Sequence, residues 1–254
     1  MARYNFDIFQ ESIIRTDRLN GTVYRFWSTY AIAHVLRRYL LRGRIEFLDA
    51  GGGDGGTARL LEEMGFSGCY TCLDRAPVEN LTSTDKMKIE YQQSDFKSYE
   101  PVRLYDAVLF ESSLEFVDDY KDLSWLRRAL KPNGVVLATL LTRNAYHLYR
   151  GFYANGGRYY LNEGELPGAF GKIGLRPVEI IPLVGLVGRL VQYPIQRTYF
   201  YAGGRRIRDA IHHWTRGRMS FDPAAGISRQ LNRLSVLLDR LAPLWPVGHC
   251  IVLR

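Results

Sequence analysis

Apolar residues recur along this chain in short buried-looking runs, each followed by a turn and then by a stretch with helical spacing. Strands are predicted to end near 45–48 and to run over 70–73, 89–93, 105–110, 135–141, 174–181 and 248–253. Between them, the apolar spacing predicts helices over 57–64, 121–130 and 161–173, the last interrupted at Pro167, with a short polar helix and loop at 77–86. Two helices, 8–17 and 23–41, are expected before the first strand, broken at Asn20-Gly21. Strands alternating with helices in this way indicate an α/β protein with a mainly parallel sheet.

One turn carries the most chemistry. The stretch at 47–56 reads Phe-Leu-Asp-Ala-Gly-Gly-Gly-Asp-Gly-Gly, placed between a strand and the helix that starts at Thr57. Glycines there permit positive φ and let a ligand lie against bare backbone, with the opening N–H groups of the helix facing it. Gly51, Gly53 and Gly56 fit the dinucleotide spelling G-x-G-x-x-G, while Asp49, Gly51, Gly53 and Gly55 fit D-x-G-x-G-x-G. Asp49 separates the two, because a carboxylate at the strand end suits a cationic ammonium group and repels a pyrophosphate.

Further acidic residues close the following strands. Asp74 ends the second strand, where a carboxylate accepts hydrogen bonds from ribose hydroxyls, and Asp95-Phe96 follow the third. After the fourth come Glu111 and the string Leu114-Glu-Phe-Val-Asp-Asp119, with Glu111 and Glu115 four apart and able to share a face if helical. A Leu-Lys-Pro-Asn-Gly turn at 130–134 leads into the fifth strand.

These features together resemble the class I S-adenosylmethionine-dependent methyltransferases, and the string after the fourth strand is similar to that of the ubiquinone-pathway O-methyltransferases. The resemblance implies a Rossmann-like seven-stranded sheet, mostly parallel with a final antiparallel strand, helices on both faces and a helical insertion before the last strand. It implies S-adenosyl-L-methionine as cofactor, held by Asp49, Gly51, Gly53, Gly55, Asp74, Asp95, Phe96 and Glu111, with Asp95 and the main chain of Phe96 at the adenine. Phe116 stands where the similar enzymes have a histidine, which weighs against a histidine-based proton transfer at that position. The Asp/Asn-Pro-Pro-aromatic motif of amine-methylating enzymes on bases is missing. Glu115 and His147 are the candidate catalytic groups, with His212 and His213 as further candidate bases; no metal cluster is evident.

The expected organisation is a single methyltransferase domain: a helical cover over 1–43, the core over 44–181, an insertion over 182–246 and a last strand over 247–254. Charge is divided unevenly between these parts. Residues 1–145 carry 19 Lys and Arg against 20 Asp and Glu, whereas residues 146–254 carry 15 against 6. In the insertion, arginines alternate with aromatic residues, and Ile207, Ala210, Ile211 and Trp214 give a basic amphipathic helix. Such a helix lies on an anionic membrane, caps a pocket for a phosphorylated or lipid-linked acceptor, or packs on the core, and the pattern does not separate the three. A leucine-rich helix at 227–241 is read as structural.

Composition adds the remaining bounds. Three cysteines form an odd, sparse set that argues for a reducing compartment, and Cys69 and Cys72, three apart on a strand, point to opposite faces and read as packing residues. The first ten residues lack the apolar run of a secretory signal, and no apolar run reaches spanning length. The expectation is a cytoplasmic protein, peripheral at the inner membrane face if the basic helix binds lipid. It O-methylates a small, lipid-linked or glycosidic acceptor. The alternatives are an RNA methyltransferase, a non-catalytic scaffold of the same fold, and, third, a nicotinamide-dependent oxidoreductase, which Asp49 and Asp95 disfavour.

Overall fold

A computed structural model describes residues 23–40, 43–53, 55–77, 83–117, 119–142, 163–185 and 246–254. The expected helices at 8–17, at the basic stretch around 207–214 and at 227–241 lie outside the described residues, as does 78–82 within the expected helix and loop at 77–86. The chain divides into two compact units, one of Arg3–Tyr30 with Pro182–Val247 and one of Ala31–Ile181 with Gly248–Arg254. The candidate site described below belongs to the second. Among the described residues no helix is long and apolar enough to cross a membrane.

The strands are β1 (Arg44–Ala50), β2 (Ser67–Asp74), β3 (Met87–Gln93), β4 (Tyr105–Glu111), β5 (Leu130–Leu141), β6 (Pro177–Gly185) and β7 (Pro246–Leu253). They form one seven-stranded sheet in the order β3-β2-β1-β4-β5-β7-β6. The pairs from β3 through β5 are parallel, and β7 is antiparallel to β5. Arg176 and Arg254 exchange main-chain bonds of 2.8 and 3.0 Å beside β6 and β7.

Burial follows place in the sheet. Phe47, Leu48, Val108, Leu109 and Val136 on the central strands are wholly buried, as expected of strands covered on both faces. β3, at an edge, keeps polar residues on its open side. The other edge, β6, contains Pro177 and Pro182, which lack the N–H a central strand would need.

The helices are α1 (Val23–Tyr39), α2 (Gly56–Glu63), α3 (Leu126–Ala129) and α4 (Leu166–Gly171). The long helix expected over 121–130 is instead a 3-10 turn, Tyr120–Leu123, followed by the four residues of α3. Ser124 and Trp125 join the two with helical backbone, the Trp125 carbonyl accepting from Arg128 and Ala129 N–H at 3.0 Å. The Trp125 indole N–H donates to the Phe96 carbonyl at 2.9 Å and its ring meets Tyr99 edge-on at 4.8 Å. The expected turn at 130–134 is likewise absorbed into β5: Leu130 pairs with Tyr105 and Val135 with Ala107, so the extra residues bulge out with Pro132 and Asn133 exposed.

Candidate functional site at the switch point of the sheet

Strand order reverses between β1 and β4, and in open parallel sheets the crevice at the carboxyl ends of such a pair is where ligands bind. The glycine turn leaves β1 at this place. Gly51 has φ 84°, Gly53 φ 50° and Gly55 φ 70°, and Gly55 is the N-cap of α2. The turn is pinned from β2: Gly51 N–H donates to the Leu73 carbonyl at 2.6 Å, and Gly53 N–H to the Asp74 carboxylate at 3.2 Å.

Gly51 is also a matter of space. A Cβ there would stand 2.6 Å from Ser113 Cβ and 3.7 Å from the Phe96 ring. The turn therefore passes so close to the segment after β4 that only hydrogen fits. Ser113 closes the other side by donating its hydroxyl to the Ala50 carbonyl at 2.6 Å. Before it, Ser112 takes φ 53°, held by bonds from its N–H to the carbonyl and hydroxyl of Thr139 at 3.2 and 3.1 Å.

The strand-end acids divide into two groups. Asp74 and Asp95 are half-exposed at the carboxyl edge, Asp74 in register with Gln93 and Asp95 two residues beyond it. Asp74 also accepts from Ala76 N–H at 2.9 Å, and Asp95 from Lys97 N–H at 3.0 Å. Asp49 differs: it is 1% exposed, accepts the Tyr70 hydroxyl at 2.5 Å, and lies under the turn, 3.1 Å from where a Cβ on Gly52 would be. Burial, then the Asp49 charge, holds Tyr70 well above the usual phenol range, so it remains the donor. Cys72 packs under the same turn, while Cys69 contacts Arg103; both are buried free thiols.

After β4, Glu111 is half-exposed and the 3-10 turn Leu114–Phe116 follows. Glu111 and Glu115 do not share an open face. Glu115 is 1% exposed and accepts Leu141 N–H at 3.2 Å, at the carboxyl end of β5. Burial raises its carboxyl to about 7, against the opposing pull of its own N–H and that of Leu141. Phe116 is 54% exposed beside it, and Phe96 sits half-buried, edge-on to Phe110.

Ser112, Ser113 and Thr139 complete the crevice. Nothing in the sequence marked them, since their roles depend on strands 63 residues apart in the Ser113–Ala50 pair becoming neighbours. The candidate bases His147, His212 and His213 lie outside the described residues. Among the described residues no group of three or more His, Cys, Asp or Glu is placed to hold a metal ion.

The arrangement fits a nucleoside carrying a cationic chain. Backbone without side chains lies along the crevice, two half-exposed carboxylates line its β2–β3 side, and an aromatic ring flanks it. A pyrophosphate in the glycine turn would lie over the buried Asp49 carboxylate, whereas Asp74 suits the ribose of either cofactor.

Comparison with known proteins agrees with this geometry. A family model described as a methyltransferase domain matches residues 24–180. A ubiquinone biosynthesis O-methyltransferase from Rickettsia canadensis is 29% identical over 120 residues, which cover 45% of this chain and 50% of the relative. The chain thus spans about half the length of that curated relative. Among solved structures, a SAM-dependent methyltransferase from Geobacter sulfurreducens in complex with S-adenosyl-L-homocysteine matches with a TM-score of 0.51 at 15% identity, covering 99% of this chain and 98% of that one. YjhP from E. coli matches with a TM-score of 0.51 at 16% identity, covering 97% of each chain. At such identities the likeness to these structures is one of fold.

Proposed function

The chain belongs to the family of methyltransferase domains, and on that premise we propose that it transfers a methyl group from S-adenosylmethionine to a hydroxyl of a small, apolar or lipid-linked acceptor. The observation that carries this reading is the meeting of the glycine turn, Asp74 and Ser113 around the β1–β4 switch point. When bound, S-adenosylmethionine supplies a methyl group activated by its sulfonium.

The protein's own part is placement. Asp74 would accept from the ribose hydroxyls, Asp95 and the Phe96 main chain would hold the adenine, and the bare backbone of Gly51, Gly53 and Gly55 would allow close approach. Glu111 and the buried Asp49 would supply negative potential at the methionine end, Asp49 from beneath the turn. Because bonds to Leu73 and Asp74 on one side and from Ser113 on the other anchor the turn, the crevice is set before a ligand arrives, which lowers the entropy lost in aligning donor and acceptor.

An apolar acceptor is supported by Phe116, a large aromatic side chain left 54% exposed on the turn after β4. The surplus of arginine in residues 146–254 supports an acceptor or surface that carries negative charge.

The test is incubation of the chain with methyl-labelled donor and a total cell extract, followed by fractionation. The expected label enters the organic-solvent phase. Label in nuclease-sensitive material would replace this reading with RNA methylation, and no transfer at all, with S-adenosylhomocysteine still bound, would favour a non-catalytic scaffold.

A further inference from the structure

Glu115 is placed as no ordinary surface or core glutamate would be. It sits on the 3-10 turn after β4, two residues beyond Ser113, whose bond to the Ala50 carbonyl fixes this turn against the glycine turn. One carboxyl oxygen accepts Leu141 N–H, so the group lies between the carboxyl ends of β4 and β5. Its other oxygen, Oε2, is buried and has no hydrogen-bond partner. A buried carboxyl oxygen without a donor is destabilising, and a catalytic role is one of the few reasons for a native protein to keep such a group.

We propose that Glu115 is the proton acceptor for methyl transfer, taking the proton of a neutral hydroxyl on the acceptor through Oε2. This rests on the methyl-transfer reading and narrows it to O–H acceptors that must lose a proton. The acceptor O–H bond breaks and an O–H bond forms at Oε2. The acceptor oxygen keeps the electron pair and bonds to the methyl carbon, while the carbon–sulfur bond of the sulfonium donor breaks with its pair on sulfur. A carboxylate and a sulfonium become a carboxylic acid and a thioether, so charge balances.

The surroundings suit that task. Burial alone moves Glu115 upward, to about 7, and no charged side chain contributes to the shift. A base titrating near working pH is the efficient choice for such a step. The titratable groups on neighbouring elements are Glu111, half-exposed at the end of β4, and His249 on β7, opposite Leu140 and shifted downward by burial. Asp119 and Lys121, on the following turn, are exposed.

The experiment uses the full chain saturated with S-adenosylhomocysteine, in wild-type form and as Glu115→Gln, which keeps a carbonyl oxygen for Leu141 N–H. Equal affinity for S-adenosylhomocysteine in both shows that the variant folds and that the cofactor reading stands on its own. Infrared difference titration is expected to show one buried carboxyl titrating near neutrality in the wild type and none in the variant. Added para-nitrophenol is expected to ionise at higher pH in the wild-type complex than in the variant, because the Glu115 carboxylate opposes a second negative charge beside it. Absence of that carboxyl, or identical nitrophenol spectra with both chains, overturns the proposal. Failure of the wild type to bind S-adenosylhomocysteine would instead overturn the methyl-transfer reading beneath it.

Discussion

The Ser113 hydroxyl donates to the Ala50 carbonyl at 2.6 Å, joining the segment after β4 to the last residue of β1 at the point where the strand order reverses. The same side chain limits Gly51, whose missing Cβ would fall 2.6 Å from Ser113 Cβ. Clamp and clearance are thus one contact. Ser113→Ala removes one buried hydrogen bond and is expected to cost about 1 kcal/mol, read as a fall of a few degrees in Tm. Gly51→Ala meets both the clash and a φ of 84°, so it should weaken S-adenosylhomocysteine binding at least tenfold in calorimetry as well as lowering Tm. Unchanged affinity in Gly51→Ala would show that the turn does not approach the ligand.

The buried Glu115 makes stability depend on pH in a stated direction. Its carboxyl is raised from 4.5 to about 7 in the folded chain, so between those values the folded state holds a proton that the unfolded state has lost. Stability from this group is fully present below 4.5 and is lost as pH rises towards 7, by about 3 kcal/mol in total. Denaturant titrations at pH 5 and pH 8 should therefore show a smaller pH 5 advantage in Glu115→Gln than in the wild type. Equal pH dependence in the two chains would place Glu115 in contact with solvent.

Much of this arrangement could be read before any coordinates. Glycines at 51, 53 and 55 are needed for positive φ, a local property, and the strands around them are apolar runs of characteristic length, so the turn, the strands and the edge acids Asp74 and Asp95 were visible. What stayed hidden depends on long-range contact. Asp49 is buried where Tyr70, two residues before its register partner Cys72 on β2, gives it a hydroxyl, Trp125 is held by the Phe96 carbonyl from another segment, and the seclusion of Glu115 follows from Leu141 lying at the end of the neighbouring strand. Periodicity carries no record of such partners.

Arg103 provides a control far from the crevice. It precedes β4 and bonds to Glu46 at 3.2 Å, Glu90 at 2.5 Å and Cys69 Sγ at 3.0 Å, towards the amino-terminal halves of β1 to β3. Five residues of strand separate Cys69 from Asp74, roughly 16 Å. Since the guanidinium is about one-third exposed, solvent screening leaves Arg103→Ala a loss of about 1 kcal/mol. Thermal melts should show that loss while S-adenosylhomocysteine affinity stays within twofold. A tenfold change in affinity would mean that the two ends of the sheet are coupled.

The central claim is tested most directly by calorimetric titration of the wild-type chain and Asp74→Ala with S-adenosylhomocysteine and with NAD. The wild type should bind S-adenosylhomocysteine and not NAD, and the substitution should weaken that binding at least tenfold by removing the acceptor for the ribose hydroxyls. Tight NAD binding, or S-adenosylhomocysteine binding indifferent to Asp74, would contradict it.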